Sequence, residues 1–255
     1  MELFSCGSTA TVEQLSEALQ ASPATIRRDL NEMAHDGRII RIHGGAALPT
    51  EQPPEELPIN VRLQLHSEEK EFIAGAALSL IQENSTVFIG PGTTTRALAA
   101  KIGRHFSKLT ILTNDIDVAK EISHTDNGLI VTGGQLKKNS CTLYGFFTEQ
   151  MLHDIKVDTA FLSVDAVDLH NGFMDFGVDE INIKRMVLKN AARCIMLCDV
   201  NKFATSAFVQ VCPLSSPDIV VTNGSIPAQT IGIFQKVGVQ VVLAAPKGCN
   251  HLEKE

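Results

Sequence analysis

The chain has 255 residues, of which 44% are hydrophobic and 20% charged, the make-up of a globular protein long enough for two domains. Its formal charge of -7 excludes nucleic-acid binding by bulk charge, so any such contact has to come from a local basic cluster. No run approaches the roughly 18 apolar residues of a membrane helix, the N-terminus lacks a signal pattern, and six scattered cysteines without a CxxC pair suit reduced thiols; the expectation is a cytoplasmic protein with no membrane contact.

Met1 to Gly7 allows about two helical turns before the turn Ser8-Thr9-Ala10, so a first helix here is expected to be short. Val12, Leu15 and Leu19 then repeat at helical spacing, as do Ile26, Leu30 and Met33, giving two amphipathic helices. Ala21-Ser22-Pro23 breaks them apart, with Ser22 a preferred N-cap and Pro23 suited to the first helical position. The opening turns of the second helix carry Thr25, Arg27 and Arg28 outward. In a helix-turn-helix that part of the second helix enters the major groove, where arginine forks onto guanine and threonine meets a phosphate or a thymine methyl. After the turn Asp36-Gly37, Arg38 to Gly45 reads as a small hairpin or wing whose Arg38 and Arg41 reach the DNA backbone. Residues 1 to 49 hold four arginines against six acids, and all four fall between Arg27 and Arg41, so useful DNA occupancy calls for paired readers in a dimer or higher oligomer.

The run SPATIRRDLNEMAHDGRIIRIHGGA resembles the signature of the DeoR family of winged-helix repressors, in which a recognition helix with two adjacent arginines and an aspartate leads into a wing ending in Gly-Gly. The resemblance implies a winged helix-turn-helix over residues 1–48 that binds double-stranded operator DNA through Ser22, Thr25, Arg27, Arg28, Arg38 and Arg41. Family members have a longer first helix, so this one is expected to be truncated.

Pro49 to Pro58, rich in proline and acid and without periodicity, reads as a linker over 49–58. A long helical pattern from Asn60 to Gln82 follows. Strand-like and helix-like runs then alternate: Thr86–Ile89, Arg96–His105, Leu109–Thr113, Asp115–Ile122, Leu129–Val131 and Phe146–His153. The alternation continues with Thr159–Val164, Asp179–Ala192, Cys194–Cys198, Asp218–Val221, Ala228–Val237 and Val239–Leu243. Short Val/Ile/Leu strands between helices imply an α/β domain over 59–245 with a mainly parallel sheet, followed by a tail over 246–255. Cys194 and Cys198 read as core residues, and the scattered histidines as surface or capping residues, so no metal and no cofactor is expected.

Ligands gather at the carboxyl ends of parallel strands, where loops and helix N-termini expose amide donors. Gly90-Pro91-Gly92-Thr93-Thr94-Thr95 follows a strand and opens a helix, a combination of amides, hydroxyls and helix dipole that favours a phosphate. It is neither a Walker A loop nor a GxGxxG fingerprint, which disfavours a nucleotide. Thr113-Asn114-Asp115, Gly133-Gly134-Gln135, Ser163 to Asp168 and Asp199 to Phe203 end further strands, the last with Lys202 as a point charge for an anion. The order of these loops is similar to that of the DeoR sensor domain, itself similar in fold to ribose-5-phosphate isomerase and glucosamine-6-phosphate deaminase. By that resemblance Gly92, Thr93 and Thr94 cradle a phosphate, Thr113 and Asn114 line the pocket, Asp165 and Asp168 face a sugar, and Lys202 closes on the anion.

The expectation is therefore a homodimeric or homotetrameric repressor of a carbohydrate uptake or catabolic operon, not an enzyme, relieved by a phosphorylated sugar. Two alternatives remain open at this point. One is a sugar-phosphate isomerase using Asp165 or Asp168 as base beside Lys202; the other is a sensor whose short first helix impairs DNA binding.

Overall fold

The computed structural model describes residues 9–35, 39–42, 45–47, 59–138, 140–224 and 226–245. The chain divides into two compact units, Met1–Leu65 and His66–Glu255.

In the first unit, strand β1 (Thr9–Thr11) leads into helices α1 (Val12–Leu19) and α2 (Pro23–His35), then into the hairpin of β2 (Ile40–Ile42) and β3 (Gly45–Ala47); α3 (Ile59–Gln64) ends it. The start of α1 is fixed by a capping box: Gln14 N donates to Thr11 Oγ1 at 3.2 Å and Thr11 N to Gln14 Oε1 at 2.9 Å. Gln20 closes α1 in the left-handed conformation (φ 50) and turns the chain toward α2. At the next cap Thr25 N donates to Ser22 Oγ at 3.2 Å, the role expected of Ser22. Val12, Leu15, Ile26, Leu30, Ile39 and Ala46 form the core, with Met33 packed against it. Leu19, expected on the same apolar stripe, is instead 55% exposed.

Thr9 and Ala10, read from sequence as a turn, are strand. They pair antiparallel with β3, Thr9 opposite Ala47 and Ala10 opposite Ala46, completing a sheet of order β1-β3-β2. The wing needs that third strand, because an isolated two-stranded hairpin is only marginally stable. The expected first helix at 1–7, Arg38, the linker at 49–58 and the tail at 246–255 lie outside the described residues, as does the side chain of Arg41, whose backbone belongs to β2.

The second unit begins with α4 (Ser67–Leu78), β4 (Thr86–Ile89), α5 (Thr93–Ile102), β5 (Thr110–Thr113), α6 (Ile116–Ile122) and β6 (Gly128–Val131). A two-residue ladder β7 (Gln135–Leu136) and β8 (Leu143–Tyr144) precedes α7 (Phe146–His153), β9 (Val157–Ser163), β10 (Ala166–Asp168), β11 (Gly172–Asp175) and α8 (Ile181–Asn190). Then come β12 (Ala191–Leu197), a 3₁₀ turn (Val200–Ala204), β13 (Val209–Cys212), β14 (Ile219–Asn223), α9 (Ala228–Lys236) and β15 (Gln240–Ala244). The single helix expected from Asn60 to Gln82 is two, because the chain breaks at His66, which is left-handed (φ 54).

Seven strands form a parallel sheet of order β15-β14-β12-β9-β4-β5-β6. Alternate residues of each strand enter opposite cores. Val87, Ile89, Ile111, Phe161, Ile195, Leu197 and Val221 pack with residues of α4, α5 and α6, including Ile73, Leu98 and Val118. Phe88, Leu112, Ala160, Leu162, Met196 and Val220 pack with Leu152, Ile181, Val187 and Phe234 of α7, α8 and α9. Burial on both faces is why these strands read as continuous apolar runs.

The sequence reading missed the antiparallel sheet of order β10-β11-β13 and assigned no strand at Gly172 to Asp175. Gly172 opens β11 with φ 90, and a Cβ there would collide with the Cys212 carbonyl oxygen on β13. The glycine marked a strand against which another backbone packs closely.

Candidate functional site

Chain order along the sheet reverses between β4 and β9. From β4 the chain moves outward through β5 to β6, and it then returns to lay β9 on the other side of β4. Loops on either side of such a switch point diverge and leave a crevice at the carboxyl edge. The β4–α5 loop sits there. Gly90 N donates to the Phe161 carbonyl at 2.9 Å, and a Cβ on Gly90 would come within 2.9 Å of Leu162 Cδ2. Gly92 (φ 143) is in a conformation that side chains rarely adopt, and its Cβ would lie 3.0 Å from Ser163 Cβ. Both glycines are therefore required to bring the loop against the end of β9.

Gly92 is the N-cap of α5 and offers no side chain to the first-turn amides, which are left for water or an anion. Thr95 spends its hydroxyl on the Gly92 carbonyl at 2.9 Å. Thr93 and Thr94 are both buried, at 8% and 3% exposure, with hydroxyls not engaged in this way. Gly92, Thr93 and Thr94, the residues expected to cradle a phosphate, thus lie together at the start of α5.

The β5 end adjoins it. Thr113 Oγ1 donates to the Ile89 carbonyl at 2.6 Å and accepts from Asp115 N at 3.1 Å, so this hydroxyl ties the strand ends together. Asn114 is fully buried; its Nδ2 donates to the Leu143 carbonyl at 3.0 Å, while Oδ1 is without a partner. Asp115 caps α6, accepting from Asp117 N at 2.8 Å and Val118 N at 3.0 Å. Burial pushes its carboxyl from 3.8 up to about 6, against the pull of those two amides. The folded state therefore holds this proton more tightly than the unfolded chain does. Its contribution to stability is fully present below 3.8 and is lost as pH rises through about 6. In Asp115→Asn the amide oxygen still accepts both bonds, so the variant should gain roughly 2–3 kcal/mol on the wild type between pH 4 and pH 7 in urea unfolding. A difference that does not change with pH would contradict this account of Asp115.

On the other side of the crevice, Asp165 N donates to the Met174 carbonyl at 3.0 Å, and Asp165 Oδ2 accepts from Phe176 N at 3.0 Å. Beneath them lies a buried ion pair that the sequence reading did not identify. Lys184 Nζ donates to Asp175 Oδ2 at 2.5 Å and to the Ser163 carbonyl at 2.9 Å, with the two residues 6% and 4% exposed. Burial works against the ammonium, but the carboxylates of Asp175, Glu180 and Asp165 outweigh it and hold Lys184 above its ordinary range. Lys184 thereby fixes Ser163, the residue against which Gly92 rests. A signal was present: Lys184 stands between Ile181 and Val187 on the buried stripe of α8, where a charge needs a partner.

Asp168 ends β10. At the tip of the β10–β11 hairpin its Oδ1 accepts from His170 N and Asn171 N, each at 2.7 Å, and those amides hold its carboxyl below the usual range. Lys202 lies half-buried on the 3₁₀ turn, which packs beside β10. Asp199 orders that turn by accepting from Asn201 N at 3.1 Å. A groove of about 530 Å³ lies between α8 and β13 and includes none of these residues in its lining; its Arg185 donates to the carbonyls of Val211 and Gln210.

On the first unit, Arg27 and Arg28 are exposed on α2, and Ser22 and Thr25 are exposed at its start, 2.8 Å apart through their hydroxyls. Among the described residues no group of three or more His, Cys, Asp or Glu could hold a metal. No helix among them is long and apolar enough to cross a membrane.

Comparison with known proteins matches residues 2–52 to the DeoR-like helix-turn-helix domain and residues 65–224 to the DeoR C terminal sensor domain. The chain is 32% identical over 244 residues to the glycerol-3-phosphate regulon repressor of Escherichia coli, covering 95% of this chain and 96% of that one. It is 33% identical over 242 residues to the HTH-type transcriptional regulator GlpR of Haloferax volcanii, with 95% and 94% covered. It is 30% identical over 238 residues to the lactose phosphotransferase system repressor of Lactococcus lactis, with 92% and 93% covered. Among solved structures, ribose 5-phosphate isomerase A of Methanocaldococcus jannaschii aligns with a TM-score of 0.41 at 16% identity, over 54% of this chain and 55% of that one.

Proposed function

The chain belongs to the DeoR family of helix-turn-helix transcriptional regulators, and from that premise we propose that it represses a carbohydrate uptake or catabolic operon until a phosphorylated sugar enters the β4–β9 crevice. Arg27 and Arg28, with Ser22, Thr25, Arg38 and Arg41 around them, are the proposed operator contacts. Gly92, Thr93 and Thr94 are the proposed phosphate cradle, Thr113 and Asn114 its wall, and Asp165, Asp168 and Lys202 the residues that meet the sugar and close on the anion. Two-fold pairing of chains, in a dimer or tetramer, places two α2 helices on paired half-sites and offsets the weak attraction of an acidic protein for DNA. Release of DNA requires the ligand to prefer the non-binding conformation, by on the order of 1–3 kcal/mol for a typical coupling.

The observation that carries the effector half is the loop that Gly90 and Gly92 press against β9, opening an uncapped helix N-terminus into the switch-point crevice. Similarity to repressors named for a glycerol-3-phosphate regulon and for a lactose phosphotransferase system supports a phosphorylated carbon source as the signal. The isomerase alternative has less support. Asp175 is paired with Lys184, two backbone amides hold Asp168 below the usual carboxylate range and so make it a weak base, and the relatives matched over nearly the whole chain are named as repressors.

A melting screen of the full chain against phosphorylated pentoses, hexoses, amino sugars and glycerol 3-phosphate tests the reading. One phosphorylated compound at about 100 times its dissociation constant should stabilise the protein by roughly 2.7 kcal/mol, visible as several degrees in Tm, and its unphosphorylated counterpart should not. Silence across the panel, or enzymatic turnover of any member, would overturn it.

A further inference from the structure

We propose that Lys137 is a latch across the crevice, which is ion-paired to Glu180 and Asp179 in the empty protein and moves onto the phosphoryl group of the effector when it binds. The inference rests on reading the crevice as a phosphate site, and it adds a cation that neither the sequence nor the family comparison assigned.

The segment bearing Lys137 is fastened to the end of β5. Lys137 N donates to the Thr142 carbonyl at 2.8 Å, Leu143 N to the Asn114 carbonyl at 2.7 Å, and Ile116 N to the Cys141 carbonyl at 2.9 Å. Its acidic partners belong to the loop after β11, which is fastened to the end of β9 by the bond from Phe176 N to Asp165 Oδ2. Between β9 and β5 in the sheet lies only β4, whose loop is the Gly90–Thr94 cradle. Adjacent strands are about 4.8 Å apart, so the two anchor points are roughly 10 Å apart, on opposite sides of the cradle. The contact that joins them is the one from Lys137 Nζ to Glu180 Oε1 at 3.2 Å, with Asp179 Oδ2 at 3.9 Å.

The exchange is chemically favourable in the direction proposed. The Lys137 and Glu180 side chains are only 19% and 12% exposed, so the ammonium leaves this partner only for an acceptor that offers it more than one carboxylate does. A phosphate monoester presents more charge and more acceptor oxygens than a carboxylate. Glu180 keeps other support when Lys137 leaves: it stands at the N-terminus of α8, where negative charge is favoured, and it is attracted by the Lys184 ammonium. The latch therefore has two alternative partners of unequal strength, which is what a ligand needs in order to shift it.

Calorimetric titration of the full chain with inorganic phosphate and with glycerol 3-phosphate tests the latch, using the wild type, Lys137→Gln, Lys137→Arg and Glu180→Gln, each checked for folding by circular dichroism. Lys137→Gln should weaken binding about tenfold and Lys137→Arg should restore most of it. Glu180→Gln, which removes the nearer of the two carboxylates and leaves Asp179 at 3.9 Å, should tighten binding severalfold. Wild-type affinity in Lys137→Gln, or weaker binding in Glu180→Gln, would overturn the latch while leaving the crevice reading intact. Absence of any binding to the wild type by either anion would overturn both.

Discussion

Replacing Lys184 by methionine is expected to destabilise the His66–Glu255 unit by roughly 3–5 kcal/mol, the cost of leaving a buried carboxylate without its counter-charge. Methionine fills nearly the same volume, so the loss is electrostatic rather than a cavity. Asp175 Oδ2 loses the donor 2.5 Å away, and the Ser163 carbonyl loses the one at 2.9 Å. In a unit of this size the loss corresponds to a fall in Tm on the order of 10 °C. Restoring electroneutrality with the double variant Lys184→Met, Asp175→Leu should recover most of it, since a well-packed apolar pair commonly matches a buried ion pair in stability. A single variant that loses less than about 1 kcal/mol in urea unfolding would show that Asp175 finds another partner and that Ser163 is not held from below.

The double variant Arg27→Ala, Arg28→Ala is expected to abolish specific operator binding without loss of fold. Both residues are exposed on α2, away from the face that buries Ile26 and Leu30, and alanine is the best helix former. A bidentate arginine contact to guanine is worth roughly 1–3 kcal/mol, and in the proposed two-fold assembly each contact is lost twice, so affinity should fall by at least about a hundredfold. The slope of log affinity against log salt should flatten as phosphate contacts go. The comparison is a mobility shift on DNA upstream of the protein's own gene, with effector binding measured in parallel. Unchanged affinity would remove α2 from the DNA interface.

The parallel sheet was legible because its central strands are buried on both faces and read as apolar runs, as in Thr86–Ile89, which the structure places at those residues. The helix-turn-helix was legible because the Ser22 cap and Pro23 mark the start of α2 chemically. What escaped has physical causes. Strands β10, β11 and β13 are three or four residues long, too short for alternation to register, and their pairing is set by the tertiary approach of β13 to Gly172. Thr9 and Ala10 carry polar and small side chains that propose a turn until β3 offers them a ladder. At the candidate site, the glycines and threonines of residues 90–95 marked the tight turn from β4 into α5 locally. Lys184 with Asp175, and Lys137 with Glu180, work through partners nine and 43 positions away in sequence, so only the fold reveals them.

The most direct measurement is a fluorescence anisotropy titration of the full chain on labelled operator DNA, with the phosphorylated sugar chosen by melting added stepwise. If occupation of the β4–β9 crevice governs the α2 helices, the sugar phosphate releases the DNA over the same concentrations that stabilise the protein, and the unphosphorylated sugar does not. A sugar phosphate that saturates the protein and leaves operator affinity unchanged would contradict that coupling.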